Sequence, residues 1–283
     1  MNDLGAHALV FTGGWSEAEA DLAIAQTKRA GYDLIEIPLL DPASVDATMT
    51  RRLLERHGLR ATCSLGLSAA ADISSDDPAV VAAGEALLRL ALSRVVDFQA
   101  PYMGGIIYSA FQKYMHPPTP TGRANAVGVI KRLAREAAAS GVTLGLEVVN
   151  RYESNLINTA DEALAFMAEV DEPNVGVHLD TYHMNIEEND MSSPVRKCGD
   201  KLVYVHVGES HRGYLGSGSV DFSTFFKALD EVGYRGTITF ESFSSAIVSP
   251  TLSNILGVWR NLWTDGFDLA VRARSFITAH LRD

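Results

Sequence analysis

A chain of 283 residues with 47% hydrophobic composition can bury a sizeable core, and 24 Lys+Arg against 35 Asp+Glu leave a formal charge of −11. That balance argues against a general nucleic-acid binder that tracks phosphate on a basic face, and no apolar run approaches the roughly 20 residues a membrane helix needs. The two cysteines, Cys63 and Cys198, lack metal-site spacing and the density of a disulfide framework, so a soluble cytoplasmic protein with two buried thiols is expected.

The opening run Ala6 to Phe11 reads as a strand, ended by Thr12-Gly13-Gly14, and Ser16 as the N-cap of an Ala-rich helix to about Arg29, stopped by Gly31. Tyr32 to Leu39 is the second strand and Ser44 to His57 the second helix. Arg60 to Leu67 is the third strand, followed by a helix from Pro78 to about Phe98 with Asp77 before its first proline. Met103 to Tyr108 is the fourth strand, Pro117 to Pro120 a loop, and Arg123 to Ser140 an amphipathic helix with Val127, Ile130, Leu133 and Ala134 on one side. A fifth strand from Thr143 precedes a helix from Thr159 to Val170, with Glu162 completing a capping box. The sixth strand starts at Val175, and its helix falls within Asp190 to Cys198. Leu202 to Val207 is the seventh strand, a Gly-rich loop runs from Gly208 to Gly218, and Phe222 to Val232 is a helix closed by Gly233. Gly236 to Glu241 is the eighth strand, before helices around Ile255 to Leu262 and Phe267 to His280. Eight strand–helix beats without a composition break predict one α/β domain over residues 1–283, a (β/α)8 TIM barrel. A doubly wound open sheet is the alternative.

Four of the later strands end alike: Val142 to Leu146 before Glu147, Val175 to Leu179 before Asp180, Leu202 to Val205 before His206, and Thr237 to Phe240 before Glu241. A carboxylate at the end of an apolar strand is costly unless paired. In a barrel the carboxyl ends of the strands form the catalytic face, so these four groups meet on one side of its mouth and predict a metal site. Three carboxylates and one imidazole suit Mn²⁺ or another hard divalent ion, with zinc compatible on ligand type. The competing reading is a buried ion-pair network with Arg151 and Arg212. His178 shares strand parity with Asp180 but lies deeper and reads as a satisfied core histidine. Glu153, His183, Glu209, His211 and Arg212 follow the same strands and are expected to form the pocket wall, suited to a polyhydroxylated substrate. Trp15 and Phe243 could supply apolar walls.

The stretches E-V-V-N-R-Y-E-S-N-L-I-N-T (147–159), L-D-T-Y-H-M-N-I-E-E (179–188), H-V-G-E-S-H-R (206–212) and F-E-S-F (240–243) closely resemble the ketose 3-epimerases, the D-tagatose and D-psicose 3-epimerase family. The resemblance covers essentially the whole chain. It implies that Glu147, Asp180, His206 and Glu241 are metal ligands, that Glu147 and Glu241 are also the acid–base pair, and that Glu153, His183 and Arg212 hold the first three sugar oxygens. It implies Mn²⁺, with Mg²⁺ or Co²⁺ possible, and a homo-oligomer, dimer or tetramer. Ile255, Leu256, Val258, Trp259 and Leu262 are candidates for an interface or for ordinary outer packing. The chain departs from the D-psicose enzymes around Ser109 to Met115, where they carry a Trp, and is nearest to the L-ribulose 3-epimerase branch.

The chemistry agrees with these residues. Inverting C3 of a ketose takes a proton α to the C2 carbonyl and returns one to the opposite face through an enediolate, for which two carboxylates and a Lewis acid suffice. Two alternatives remain at this level: an aldose–ketose isomerase or polyol dehydratase on the same barrel, and a metal-dependent sugar-binding protein.

Overall fold

The computed structural model describes residues 2–281. Eight parallel strands, β1 (Leu4–His7), β2 (Leu34–Pro38), β3 (Arg60–Leu67), β4 (Tyr102–Ala110), β5 (Thr143–Val148), β6 (Val175–Asp180), β7 (Leu202–Val207) and β8 (Thr237–Phe240), close in sequence order into a barrel. The helices are α1 (Glu17–Arg29), α2 (Ala47–His57), α3 (Pro78–Asp97), α4 (Pro120–Ala138), α5 (Ala160–Val170), α6 (Thr181–Glu187), α7 (Ser193–Cys198), α8 (Phe222–Glu231), α9 (Pro250–Ile255) and α10 (Gly266–His280). Closure is direct: β1 pairs with β8 at Leu4–Ile238, Gly5–Thr239 and Ala6–Phe240. This is the TIM barrel, and the doubly wound sheet is excluded by that pairing. No helix among the described residues is long and apolar enough to cross a membrane.

Local chemistry sets most helix starts. The expected capping box of Thr159 with Glu162 forms, and the expected N-cap Ser16 is joined by Glu19 in a second one. The Asp77 carboxylate accepts the Ala79 N–H ahead of Pro78. Four of the differences from expectation have a clear local cause. The first strand stops at His7, whose Nδ1 accepts the Leu9 N–H, and Ala8–Val10 form a buried 3₁₀ turn; a short apolar run does not distinguish strand from buried turn. Helix α4 begins at Pro120 inside the expected proline loop, because Thr119 Oγ1 accepts the Gly122 N–H and proline at the first helical position lacks only a donor with no partner there. Beyond the short helix found where one was expected after β6, α6 starts directly at the strand end, capped by Asp180, which accepts the Tyr182 N–H at 2.7 Å. The apolar stretch Ile255 to Leu262 is not a helix: α9 precedes it, and Gly257 at φ +65° breaks the chain out of helical geometry.

The main apolar core lies between barrel and helices. The barrel interior beneath its mouth is different, being filled by polar side chains that reach one another across it. Tyr204 on β7 bonds Thr62 on β3 at 2.7 Å, Thr239 on β8 at 2.6 Å and Glu36 on β2 at 2.8 Å, while Tyr102 on β4 bonds His178 on β6 at 3.0 Å. The Tyr102 and Tyr204 rings stack at 4.1 Å. Gly104 and Gly145 make room for this: a Cβ on either would fall on the Tyr102 hydroxyl. A small separate apolar cluster of Leu9, Phe243, Val248 and Leu252 sits at the mouth, with Leu256 and Val258 against it.

Candidate active site

Strands β5 to β8 bring Glu147, Asp180, His206 and Glu241 together with ligand atoms all within 4.8 Å of one another, every one of the four buried. Neighbouring register explains this, since Asp180 pairs with His206, and Glu147 pairs with His178 one layer below Asp180. His206 Nδ1 lies 3.3 Å from Glu147 Oε1 and 3.5 Å from Glu241 Oε1. That nitrogen has no hydrogen-bond partner although it is buried. The other, Nε2, is 2.8 Å from Glu36 Oε2.

The competing ion-pair network is present only in part. Arg212 Nη1 lies 2.8 Å from Glu241 and 3.2 Å from Asp180, and its guanidinium covers the Tyr182 ring at 3.9 Å. Arg151 is exposed and pairs with Glu187 instead. One guanidinium therefore faces three carboxylates. The imbalance shows in their proton affinities. Burial pushes Glu147 up to about 7 against the pull of His206, and raises Asp180 against Arg212. Burial would also raise Glu241, but His206 and Arg212 outweigh it and hold that carboxyl low. Burial would lower His206, yet Glu36 and Glu241 outweigh it and raise the imidazole well above its ordinary value. A divalent cation fits this donor set: it would satisfy the orphaned Nδ1, offset the carboxylate crowding and displace the protons held by the cluster.

The pocket over the cluster has a volume of about 110 Å³ and is walled by Glu153, His183, Arg212 and Phe243, with Leu9, Phe111, Leu252 and Leu256 on its apolar side. A larger cavity of about 710 Å³ opens at the other end of the barrel, lined by Thr62, Tyr102 and Tyr204, but none of the four clustered groups reaches it. His183 is oriented from behind. Its Nδ1 accepts both the Asn150 N–H at 3.1 Å and the Asn150 amide at 2.8 Å, so Nε2 carries the hydrogen and faces Glu153, Glu147 and Asp180 at 3.7–3.9 Å. Burial keeps that imidazole neutral and pushes Glu153 up to about 8.

Three expected wall residues lie elsewhere. Glu209 is fully buried, and its carboxylate accepts the N–H groups of Ser210, Gly216 and Val220, tying down the Gly-rich loop. His211 caps its own turn at Gly213, and Trp15 bonds Thr50 beside a neighbouring cavity. His178 is a core histidine satisfied on one nitrogen only, since Nε2 has no partner. Cys63 and Cys198 are buried free thiols.

Comparison with known proteins agrees with this geometry. The xylose isomerase-like TIM barrel profile matches residues 24–262. The chain is 56% identical over 275 residues to the L-ribulose 3-epimerase of Methylomonas sp. (strain DH-1), covering 97% of this chain and 96% of that one. It is 52% identical to the ketose 3-epimerase of Arthrobacter globiformis, covering 97% and 95%. A crystal structure of the Methylomonas sp. D-allulose 3-epimerase in complex with D-allulose superposes with a TM-score of 0.97 at 56% identity, over 99% of this chain and 97% of that one. The chain belongs to the ketose 3-epimerase family.

Two buried residues beside this epimerase's candidate site are not among those expected from the sequence. Glu36 on β2 is fully buried beside His206, and His7 on β1 lies 3.7 Å from Glu36 and 3.9 Å from Glu241, lining the pocket. The signal for Glu36 was available: a lone carboxylate inside Leu34-Ile-Glu-Ile-Pro38 demands a buried partner.

Proposed function

We propose that this epimerase inverts free ketoses at C3, of the L-ribulose, D-psicose (D-allulose), D-fructose or D-tagatose type, with Glu147 and Glu241 as the proton-exchanging pair and a divalent cation held by Glu147, Asp180, His206 and Glu241. The observation that carries the reading is the convergence of these four buried side chains on the unpartnered Nδ1 of His206. Three oxygen donors and one nitrogen favour Mn²⁺, with Mg²⁺ or Co²⁺ as substitutes. When bound, the cation supplies Lewis acidity that stabilises negative charge developing on the ketose oxygens.

The chain's own residues supply the rest. Glu147 and Glu241 flank His206, one from β5 and one just past β8. One takes the C3 proton and the other returns a proton to the opposite face, their roles exchanging with the direction of reaction. Both carboxylates are buried within reach of the same imidazole nitrogen, so either can exchange a proton with a sugar carbon held between them. His183 Nε2–H and the Arg212 fork donate to sugar oxygens, and Glu153 accepts from hydroxyls. Leu9, Phe111, Phe243 and Leu252 shield the carbanionic intermediate from water. The homo-oligomer belongs to the same reading, supported by exposed Ile255, Trp259 and Leu262, and so does a reducing cytoplasm, supported by two free thiols. The test is a Mn²⁺-reconstituted assay on L-ribulose and D-allulose in deuterated water. The 3-epimer carrying deuterium at C3 is expected; an aldose product, or binding without exchange, would refute the assignment.

A further inference from the structure

We propose that Glu36 is the positioning residue of the candidate metal centre: by accepting the Nε2–H of His206 it holds the imidazole in the tautomer and orientation whose Nδ1 lone pair faces Glu147, Asp180 and Glu241. The proposal rests on the reading of those four residues as ligands. Glu36 does not line the sugar pocket; its one hydrogen bond to a proposed ligand is to His206, and its other oxygen lies 3.7 Å from His7, too far for a hydrogen bond.

The bond is built to be rigid. Glu36 Oε2 accepts from His206 Nε2 at 2.8 Å and from the Tyr204 hydroxyl at 2.8 Å. That hydroxyl is itself held by Thr62 at 2.7 Å and Thr239 at 2.6 Å, so β2, β3, β7 and β8 all brace one oxygen. The imidazole is also confined sideways, since the His178 ring stands edge-on to it at 4.1 Å and His178 is fixed by Tyr102. A histidine with a carboxylate on one nitrogen presents the other as a lone pair, and the negative charge behind the ring strengthens that lone pair as a donor. Glu36 is fully buried, and its second oxygen, Oε1, has no hydrogen-bond partner. A residue serving only to fill the core would be expected to satisfy both oxygens or to be neutral. The unsatisfied carboxylate behind the ring is what a device for polarising His206 requires.

Glu36→Gln is the discriminating variant, because the amide keeps the volume but loses the charge and can turn its NH₂ toward Nε2, favouring the wrong tautomer. Mn²⁺ affinity is measured by calorimetry on protein stripped of metal, and the His206 tautomer by two-bond proton–nitrogen correlation spectra of the metal-free protein at a pH alkaline enough to leave the ring neutral, with His206→Ala identifying its signals. Circular dichroism and thermal melts confirm that Glu36→Gln folds, and Glu36→Leu, which cannot accept at all, provides a second point. The expected result is a dissociation constant raised about 10–100-fold, with the Nε2–H signature of His206 diminished in Glu36→Gln and lost in Glu36→Leu. Wild-type affinity in Glu36→Gln, or weakened affinity with an unchanged His206 signature, overturns the proposal. If His206→Ala itself binds Mn²⁺ as tightly as wild type, the ligand assignment beneath it fails, an outcome separate from either of these.

Discussion

The two halves of the barrel differ in how their strands meet the pocket. Strands β5 to β8 each deliver a metal-competent side chain to the mouth, Glu147, Asp180, His206 and, one residue past the last strand, Glu241. Strands β1 to β4 deliver His7, Glu36, Thr62 and Tyr102, which chiefly touch other side chains. One half carries the groups that would do chemistry, and the other sends its polar side chains chiefly to partners beneath or beside them, Glu36 to His206, Thr62 to Tyr204 and Tyr102 to His178. The difference teaches that a carboxylate's burial does not reveal its role: Glu147 and Glu36 are both buried acids on barrel strands, yet only Glu147 lines the pocket.

The contrast can be broken at its strongest point first. Replacing His206 or Asp180 by Ala is expected to abolish both stoichiometric Mn²⁺, read by elemental analysis, and epimerisation. An active His206→Ala protein with full metal would remove the β5–β8 half from its proposed role. Next, Glu147→Gln and Glu241→Gln should lower turnover by orders of magnitude while metal is retained, because the amide can ligate through oxygen but cannot act as a base. A metal-loaded Glu241→Gln enzyme working at the wild-type rate would leave the second face of C3 without its acid.

Smaller effects sharpen the division. Arg212→Lys should raise KM and lower kcat with the metal site intact, since an ammonium cannot reproduce the planar fork over Tyr182. On the supporting side, Tyr204→Phe removes the hydroxyl that braces Glu36 and should destabilise the fold by about 1–3 kcal/mol in denaturant melts, leaving buried acceptors unmet. Glu153 gives a pH test. Burial raises its pKa in the fold to about 8 from an ordinary 4.5, so wild type loses stability relative to Glu153→Gln as pH rises through that interval. Metal-free melts at pH 5 and pH 8 measure the difference, and a constant gap between the two proteins would contradict it. The smallest effect is expected at Arg151→Ala, whose exposed pair with Glu187 should contribute less than about 1 kcal/mol and nothing to rate.

The same division explains what could be read from the chain. The eight-beat barrel was legible because apolar runs and capping residues such as Ser16, and Thr159 with Glu162, are local signals. The convergence of Glu147, Asp180, His206 and Glu241 was legible because each closes an apolar run in the same way. Glu36 was not singled out: its place in an apolar run signals that it needs a buried partner, but which partner is not a local matter, because His206 lies 170 residues away. Glu209 misled for the opposite reason: it follows β7 as a wall residue would, but its carboxylate turns back onto three backbone N–H groups of its own loop. At Ile255 to Leu262 an apolar pattern suggested a helix that Gly257 forbids, and at Ala8 to Val10 a buried turn has the composition of a strand.

Closure of β1 onto β8 also sets the order of events as the chain is made. Leu4 must wait for Ile238, and the bond between Glu36 and His206 spans most of the polypeptide, so the contacts that define the barrel are far apart in sequence and slow to form. A nascent chain halted before Thr237 has Glu147, Asp180 and His206 but not Glu241, and it leaves β1 and β7 as open edges without their common neighbour. Open edges of that kind recruit other chains. The truncated product is therefore expected to aggregate in the test tube, as light scattering during refolding would show.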